Sequence, residues 1–257
     1  MSALLEVDRL TKRFGGLCAI SECCVSVLEG HAHGIIGPNG AGKTTLFNLV
    51  TGIYKPTEGH IRFRGESISG MRPGQIALKG IGRTFQNIRL CTNLTVLDNV
   101  RIAFDSQLRY SLPEALSKMP RLEREEKRSM DESMRLLEPF GLAEHANELA
   151  GELPYGSQRR LEIARALALK PSLLLLDEPA AGLNSGETVA LTEFLRWVKT
   201  HFQLTLVLIE HHMHLVMNLC DRITVLDFGR TIAEGSPAEV RKNPRVIDAY
   251  LGGGQEE

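Results

Sequence analysis

Eight consecutive residues, Gly37-Pro38-Asn39-Gly40-Ala41-Gly42-Lys43-Thr44, carry the clearest chemical signal in the chain. They fit the pattern G-x-x-x-x-G-K-[ST], in which glycines let the backbone approach a phosphate that a Cβ would displace. Their flanks supply what such a loop requires. His33-Gly34-Ile35-Ile36 reads as a short buried strand, and Thr45-Leu46-Phe47-Asn48-Leu49-Val50 carries apolar residues at helical spacing. Strand, loop and helix would aim a row of backbone N–H groups and a helix N-terminus at one anion. Lys43 would reach the β- and γ-phosphates, and the Thr44 hydroxyl would ligate Mg2+. Gly37, Pro38, Asn39, Gly40, Ala41, Gly42, Lys43, Thr44 and Thr45 are thus the expected binding segment for a nucleoside triphosphate.

A second chemical group stands at Leu173-Leu174-Leu175-Leu176-Asp177-Glu178, an apolar run ending in two carboxylates. A strand buried on both faces delivers its last residues to the carboxyl edge of a parallel sheet, where α/β folds bind ligands. Asp177 would hold Mg2+ through water, and Glu178 would orient or deprotonate an attacking water. Alone, such an ending serves equally well as a helix cap; beside the glycine loop it points to nucleotide hydrolysis. His211-His212-x-His214 invites a metal-site reading. On a helix start, neighbours at i and i+1 point apart, and no acidic or cysteine partner is evident, so zinc is not expected.

These groups need a scaffold, and 257 residues suffice for one large domain or a domain with a subdomain. Hydrophobic content of 43% and charged content of 24% are those of a soluble globular protein. A net charge of −1 gives no global basic field, so nucleic acid is not an expected partner. No apolar run approaches the roughly 18–20 residues that span a bilayer. The N-terminus lacks a basic segment followed by an apolar one, so no signal peptide is expected. Five cysteines, an odd number without C-x-x-C spacing, suggest thiols in a reducing compartment, and the cytoplasm is the expected location.

Along the chain, strand signals at Leu4 to Leu10, Ile20 to Leu28 and Ile61 to Phe63 give way at Thr95 to helices, Thr95 resembling an N-cap with Asp98 three residues on. Arg121 to Phe140 is a charged helical segment with Leu122, Met130, Met134 and Leu137 on one side, preceded by a linker bracketed by Pro113 and Pro120. Mixed signs at i,i+4 spacing in Arg121 to Arg128 mark a solvated face rather than a binding patch. After Pro154 the α/β rhythm resumes. Helices are expected at Arg160 to Leu169, Glu187 to Thr200, Met213 to Leu219 and from Pro244 to about Leu251, with strands at Leu173 to Asp177, Thr205 to Ile209, Ile223 to Leu226 and Thr231 to Ala233. The Gly252-Gly253-Gly254 tail is expected to fray. The result is an α/β core, 1–88 and 156–257, interrupted by a helical subdomain at 89–155.

Leu153-Pro154-Tyr155-Gly156-Ser157-Gln158-Arg159-Arg160-Leu161-Glu162-Ile163-Ala164-Arg165-Ala166-Leu167 resembles the ABC-type ATPases, whose L-S-G-G-Q segment opens a helix of this kind. Leu153, Gly156, Gln158, Arg160 and Ile163 to Leu167 match the family's extended pattern. Pro154 stands for its serine, Tyr155 for its first glycine and Ser157 for its glutamine. The helix N-terminus and the Gly156 N–H can still face an anion. Other positions fall in the family's order. Gln86 matches the glutamine at the junction with the helical insertion and could sense Mg2+ or the lytic water. Ala181-Gly182-Leu183-Asn184 sits where the family has S-A-L-D, His211 matches the switch histidine at the γ-phosphate, and Phe14 matches the aromatic that stacks on adenine.

The resemblance spans essentially the whole chain and implies a RecA-like core with an antiparallel β-subdomain and an inserted α-helical subdomain. It implies ATP and Mg2+, the latter held by Thr44, Gln86 and Asp177, with Glu178, His211 and Gln86 as catalytic groups. It further implies two ATPase subunits sandwiching ATP, with Gly156 and Ser157 acting in trans. Two membrane-spanning permease subunits, and indirectly a solute-binding protein, complete the assembly on the inner face of the cell membrane. Arg83-Thr84-Phe85-Gln86, Ala180 to Asn184 and Ala249-Tyr250-Leu251-Gly252 look most like the ATPases of branched-chain amino-acid importers, which resemble those for urea and short amides. Two rivals stand beside transport: a cytosolic ABC ATPase without membrane partners, and a phosphate-loop GTPase or kinase. The first usually has two nucleotide domains or long coiled-coil arms, and the second would leave Leu153 to Leu167 unexplained.

Overall fold

The structure, a computed structural model, describes residues 3–105 and 120–252. Pro113 of the expected linker and the Gly253-Gly254 end of the tail lie outside them. Packing divides the chain into two units, 1–86 with 172–257, and 87–171.

The first unit holds two sheets. Strands β1 (Ala3–Phe14), β2 (Leu17–Leu28), β4 (Glu58–Phe63) and β5 (Glu66–Ser67) form an antiparallel sheet in the order β2-β1-β4-β5. Both long strands outrun their alternating pattern because the β1–β2 ladder shifts register between Val7 and Leu10, where Arg9 (φ 44°) is left-handed, and again between Leu10 and Lys12, where Glu22 (φ 48°) is left-handed on β2. The other sheet uses β3 (Ala32–Ile36), β6 (Ile81–Arg83), β7 (Leu173–Asp177), β8 (Thr205–Ile209), β9 (Arg222–Asp227) and β10 (Arg230–Gly235), ordered β10-β9-β3-β8-β7-β6. Every neighbouring pair is parallel except β9–β10. The α/β expectation with an antiparallel β-subdomain therefore holds.

Every residue of β3, β7 and β8 is buried, including His33, Asp177 and Thr205, as in strands covered on both faces. One apolar cluster joins Val7 and Ile61 of the antiparallel sheet, Leu46 and Phe47 of helix α1 (Lys43–Val50), and Leu175, Val207 and Leu226 of the parallel sheet. It seats the glycine loop on a close-packed base. Helix α2 (Pro73–Leu78) was not expected from the sequence.

In the second unit, α3 (Val96–Asp105), α4 (Pro120–Leu137) and α5 (Tyr155–Leu167) pack together. Thr95 caps as expected: its Oγ1 accepts from the Asp98 N–H at 3.0 Å and donates to Asp98 Oδ2 at 2.8 Å. The apolar stripe of α4 is corrected. Met130 is exposed, and the buried side runs through Ser129, Ser133 and Leu137. Ser133 satisfies its hydroxyl on the Ser129 carbonyl at 2.7 Å, so a small polar residue can be buried there. The Leu122 side chain lies outside the described residues.

Helix α6 (Ser185–His201) begins two residues earlier than expected because Asn184 and Glu187 form a capping box. Helices α7 (Met213–Leu219), α8 (Pro237–Lys242) and α9 (Pro244–Gly252) complete the first unit. The unexpected α8 opens on the capping box Ser236–Glu239, a signal the sequence does contain.

Candidate nucleotide site

The loop between β3 and α1 accepts glycine alone at two positions. Gly37 has φ 151°, and a Cβ there would lie 2.1 Å from the Leu226 carbonyl oxygen. Gly42 has φ 96°, and its Cβ would lie 2.7 Å from the Ala19 carbonyl oxygen. Gly42 is also the N-cap of α1, which has neither a side-chain cap nor an acidic residue in its first turn. The helix thus offers its first N–H groups and positive dipole end to an anion. Lys43 folds back over the loop, its Nζ donating to the carbonyls of Gly37 at 2.7 Å and Pro38 at 2.8 Å. Burial lowers the Lys43 pKa, and the nearby charge of Glu178 opposes that shift. Asn39, Gly40 and Thr44 are exposed, while Ala41 is buried and its carbonyl accepts from the Gly229 N–H at 3.0 Å. A loop of uncharged side chains before Lys43, an uncapped helix start and one desolvated ammonium fit a phosphate.

Four adjacent parallel strands deliver the remaining groups. In the order β3-β8-β7-β6, the pairings Ile35–Ile209, Asp177–Ile209 and Arg83–Leu175 bring their carboxyl ends to one edge. Asp177 Oδ2 lies 2.7 Å from Arg83 Nη2, with both side chains buried. Glu178, next along, has φ 45°, an unusual left-handed conformation for a residue with a Cβ. Gln86 Nε2 donates to Glu178 Oε2 at 2.9 Å, and His211 Nδ1 lies 3.8 Å from the same oxygen. The sequence-predicted Gln86, Glu178 and His211 are therefore one cluster.

Phe14 stands apart in its contacts. It is half exposed at the end of β1, edge-on to Tyr54 with centroids 5.1 Å apart, and Lys12 Nζ lies 4.8 Å from its ring centroid. In the second unit, α5 opens at Tyr155 with no side-chain cap; Gly156 is exposed, and a Cβ there would meet nothing beyond its chain neighbours and its own helix backbone. Gln158 Nε2 turns back to the Leu153 carbonyl at 2.8 Å. Buried Arg159 and Glu162 pair at 2.9 Å, and Glu162 Oε1 accepts from the Arg89 N–H at 3.3 Å.

Sequence reasoning missed Arg83 and Glu210. Arg83 lay in plain view beside Gln86, but its partners come from distant strands and helices. Glu210 is fully buried, and both its oxygens accept backbone N–H groups. Its only local signal is a charge ending an apolar run. Glu210 also supplies the acidic neighbour not evident in sequence, since its donor atoms and those of His211 and His212 lie within 4.8 Å of one another. Three N–H groups already occupy that carboxylate, and His214 is outside the cluster. A cleft of about 290 Å³ is lined by Leu183, Val189 and Met213 among others and includes no residue of the glycine loop.

A glycine-loop cradle beside an acid-ended strand in a mostly parallel sheet defines the phosphate-loop nucleoside triphosphatases. Comparison with known proteins narrows the class: the chain belongs to the ABC transporter family, whose model matches residues 21–181. A model described as Branched-chain amino acid ATP-binding cassette transporter matches residues 230–256. The chain is 47% identical to the High-affinity branched-chain amino acid transport ATP-binding protein LivG of Salmonella typhimurium, over 97% of this chain and 98% of that one. It is 30% identical to the ADP conformation of an ATP-binding cassette of an ABC transporter, with a TM-score of 0.84, covering 98% of this chain and 100% of that one. A dimeric post-hydrolysis cassette bound to ADP and Pi is 26% identical, with a TM-score of 0.73, covering 91% and 98%. The protein is an ABC ATPase.

Proposed function

We infer that the chain is the ATP-hydrolysing motor subunit of a membrane importer for branched-chain amino acids. The observation that carries this reading is the end-to-end similarity to LivG, in a chain whose Lys43 cradle and Glu178 cluster occupy one sheet edge.

In this reading the loop from Gly37 to Thr45 binds the triphosphate, Lys43 moving its ammonium from the loop carbonyls to the phosphate oxygens. Glu178, held by the Gln86 amide, orients the attacking water and takes its proton, while His211 meets the γ-phosphate. Phe14 would stack on adenine. Thr44 and Asp177 are oxygen donors of the kind Mg2+ takes, as is the Gln86 amide oxygen, and the fit supports a Mg2+ held by these three. When bound, the ion would neutralise charge on the β- and γ-phosphates.

Gly156 and Ser157, at an uncapped helix start, would complete the site of a second ATPase subunit, so turnover would require a dimer. Closure on ATP and reopening after hydrolysis would drive two permease subunits through the helical unit, with a solute-binding protein acting indirectly. Among the described residues no helix is long and apolar enough to cross a membrane. The subunit would then sit peripherally on the inner face of the cell membrane, held by those permeases. In this reading the core is 1–88 with 156–257 and the helical subdomain is 89–155.

Co-purification from detergent-solubilised membranes tests the assignment. Two membrane-spanning subunits and ATP turnover raised by a leucine-loaded binding protein are expected. Recovery without membrane partners would favour a non-transport ATPase, and turnover raised only by urea or short amides would reassign the solute.

A further inference from the structure

We propose that Glu210 is a positioning residue for hydrolysis, clamping the loop Ala180–Asn184 to the His211 turn so that His211 and Glu178 keep their mutual geometry. The proposal rests on the site reading above. Glu210 follows the last residue of β8 and is completely buried. Its Oε1 accepts from the Ala180 N–H at 2.7 Å, and its Oε2 accepts from the N–H groups of His211 at 3.0 Å and His212 at 3.1 Å. Two segments 30 residues apart therefore close on one carboxylate. The turn at Glu178 is tied into the same knot: its N–H donates to the Ile209 carbonyl at 2.9 Å, and its carbonyl accepts from the Ala181 N–H at 3.1 Å.

A buried carboxylate is costly unless donors surround it, and here three backbone N–H groups do so. In exchange, the carboxylate gives these loops little freedom to shift separately. The hydrogen bonds of Glu210 reach Ala180, His211 and His212 through their backbone N–H groups, so its hold on His211 is exerted through the backbone.

Glutamine separates this role from simple bulk. An amide has one oxygen with two acceptor sites, and its other end is a donor. Whichever way it flips, at least one of the three N–H groups loses its acceptor and faces an NH2, loosening one side of the clamp while shape is kept. For the full-length chain carrying Glu210→Gln, at concentrations that support turnover, kcat is expected to fall at least tenfold. KM for Mg-ATP and affinity for a non-hydrolysable ATP analogue should stay within twofold, because the Lys43 loop is untouched. Glu210→Asp, too short to span both segments, should give the same split.

Unchanged kcat in Glu210→Gln would overturn the proposal. So would parallel loss of kcat and nucleotide affinity, or failure of both variants to fold, since each would make Glu210 a determinant of the fold alone. A wild-type chain that binds no nucleotide would instead defeat the site reading beneath it.

Discussion

Arg83 Nη2 lies 2.7 Å from Asp177 Oδ2, and the same guanidinium donates through Nη1 to Asn48 Oδ1 at 2.7 Å and Thr51 Oγ1 at 3.0 Å. One buried cation therefore joins the end of β6, the acid ending β7 and the helix that follows the glycine loop. The Asp177 carboxylate is held in place by protein before any metal arrives. Arg83→Met would leave Asp177 buried and uncompensated, which costs about 3–5 kcal/mol when one partner of such a pair is removed. The urea midpoint should fall without a change in slope, and adding Asp177→Asn should recover most of the loss.

Glu178 is held on one oxygen by the Gln86 amide at 2.9 Å, with His211 Nδ1 at 3.8 Å. Glu178→Gln preserves shape but removes the proposed base. Turnover should drop by about 10²–10⁴-fold while ATP affinity is kept. Size-exclusion chromatography with ATP should then show an accumulated dimer. Normal turnover would remove Glu178 from the proposed chemistry.

Lys43 is placed over its own loop by two carbonyls, at 2.7 and 2.8 Å, and a phosphate would offer that ammonium a charged acceptor instead. Hydrogen bonds to charged groups contribute about 1.5–3 kcal/mol, so Lys43→Ala should weaken ATP binding by about 10–100-fold. Calorimetric titration measures it, and unchanged affinity would contradict the phosphate role.

The parts legible in the sequence are those whose signal is local. The glycine loop, the Leu173–Asp177 strand and the Thr95 cap each depend on neighbours a few residues away, and the structure forms all three. The failures share the opposite property. Arg83 gains meaning from Asp177, 94 positions on, and Glu210 from Ala180, 30 positions back. Met130 misled because hydrophobicity suggested a buried face that the helix assigns to Ser129 and Ser133, where hydroxyls bond locally and small size permits packing. The long β1 and β2 strands exceeded their pattern because a register shift at Arg9 reverses the alternation, and no alternation rule anticipates it.

His33 gives the fold a testable acid sensitivity. It sits on β3, fully buried, with Nε2 2.8 Å from Thr224 Oγ1. Burial first, then the positive charges of Arg222 and His31, lowers its pKa from 6.5 to about 4. Between those values the unfolded chain binds a proton that the folded chain refuses, so stability falls as pH drops. Above about pH 6.5 His33 is neutral in both states and costs nothing; below it stability is lost progressively, and the loss reaches about 3 kcal/mol near pH 4. His33→Gln cannot titrate and keeps a polar group near Thr224. Urea midpoints at pH 7, 5 and 4 should show the wild type losing stability faster than this variant, the gap between them closing or reversing towards pH 4. Parallel curves would mean that His33 is protonated in the folded protein as readily as in the unfolded chain.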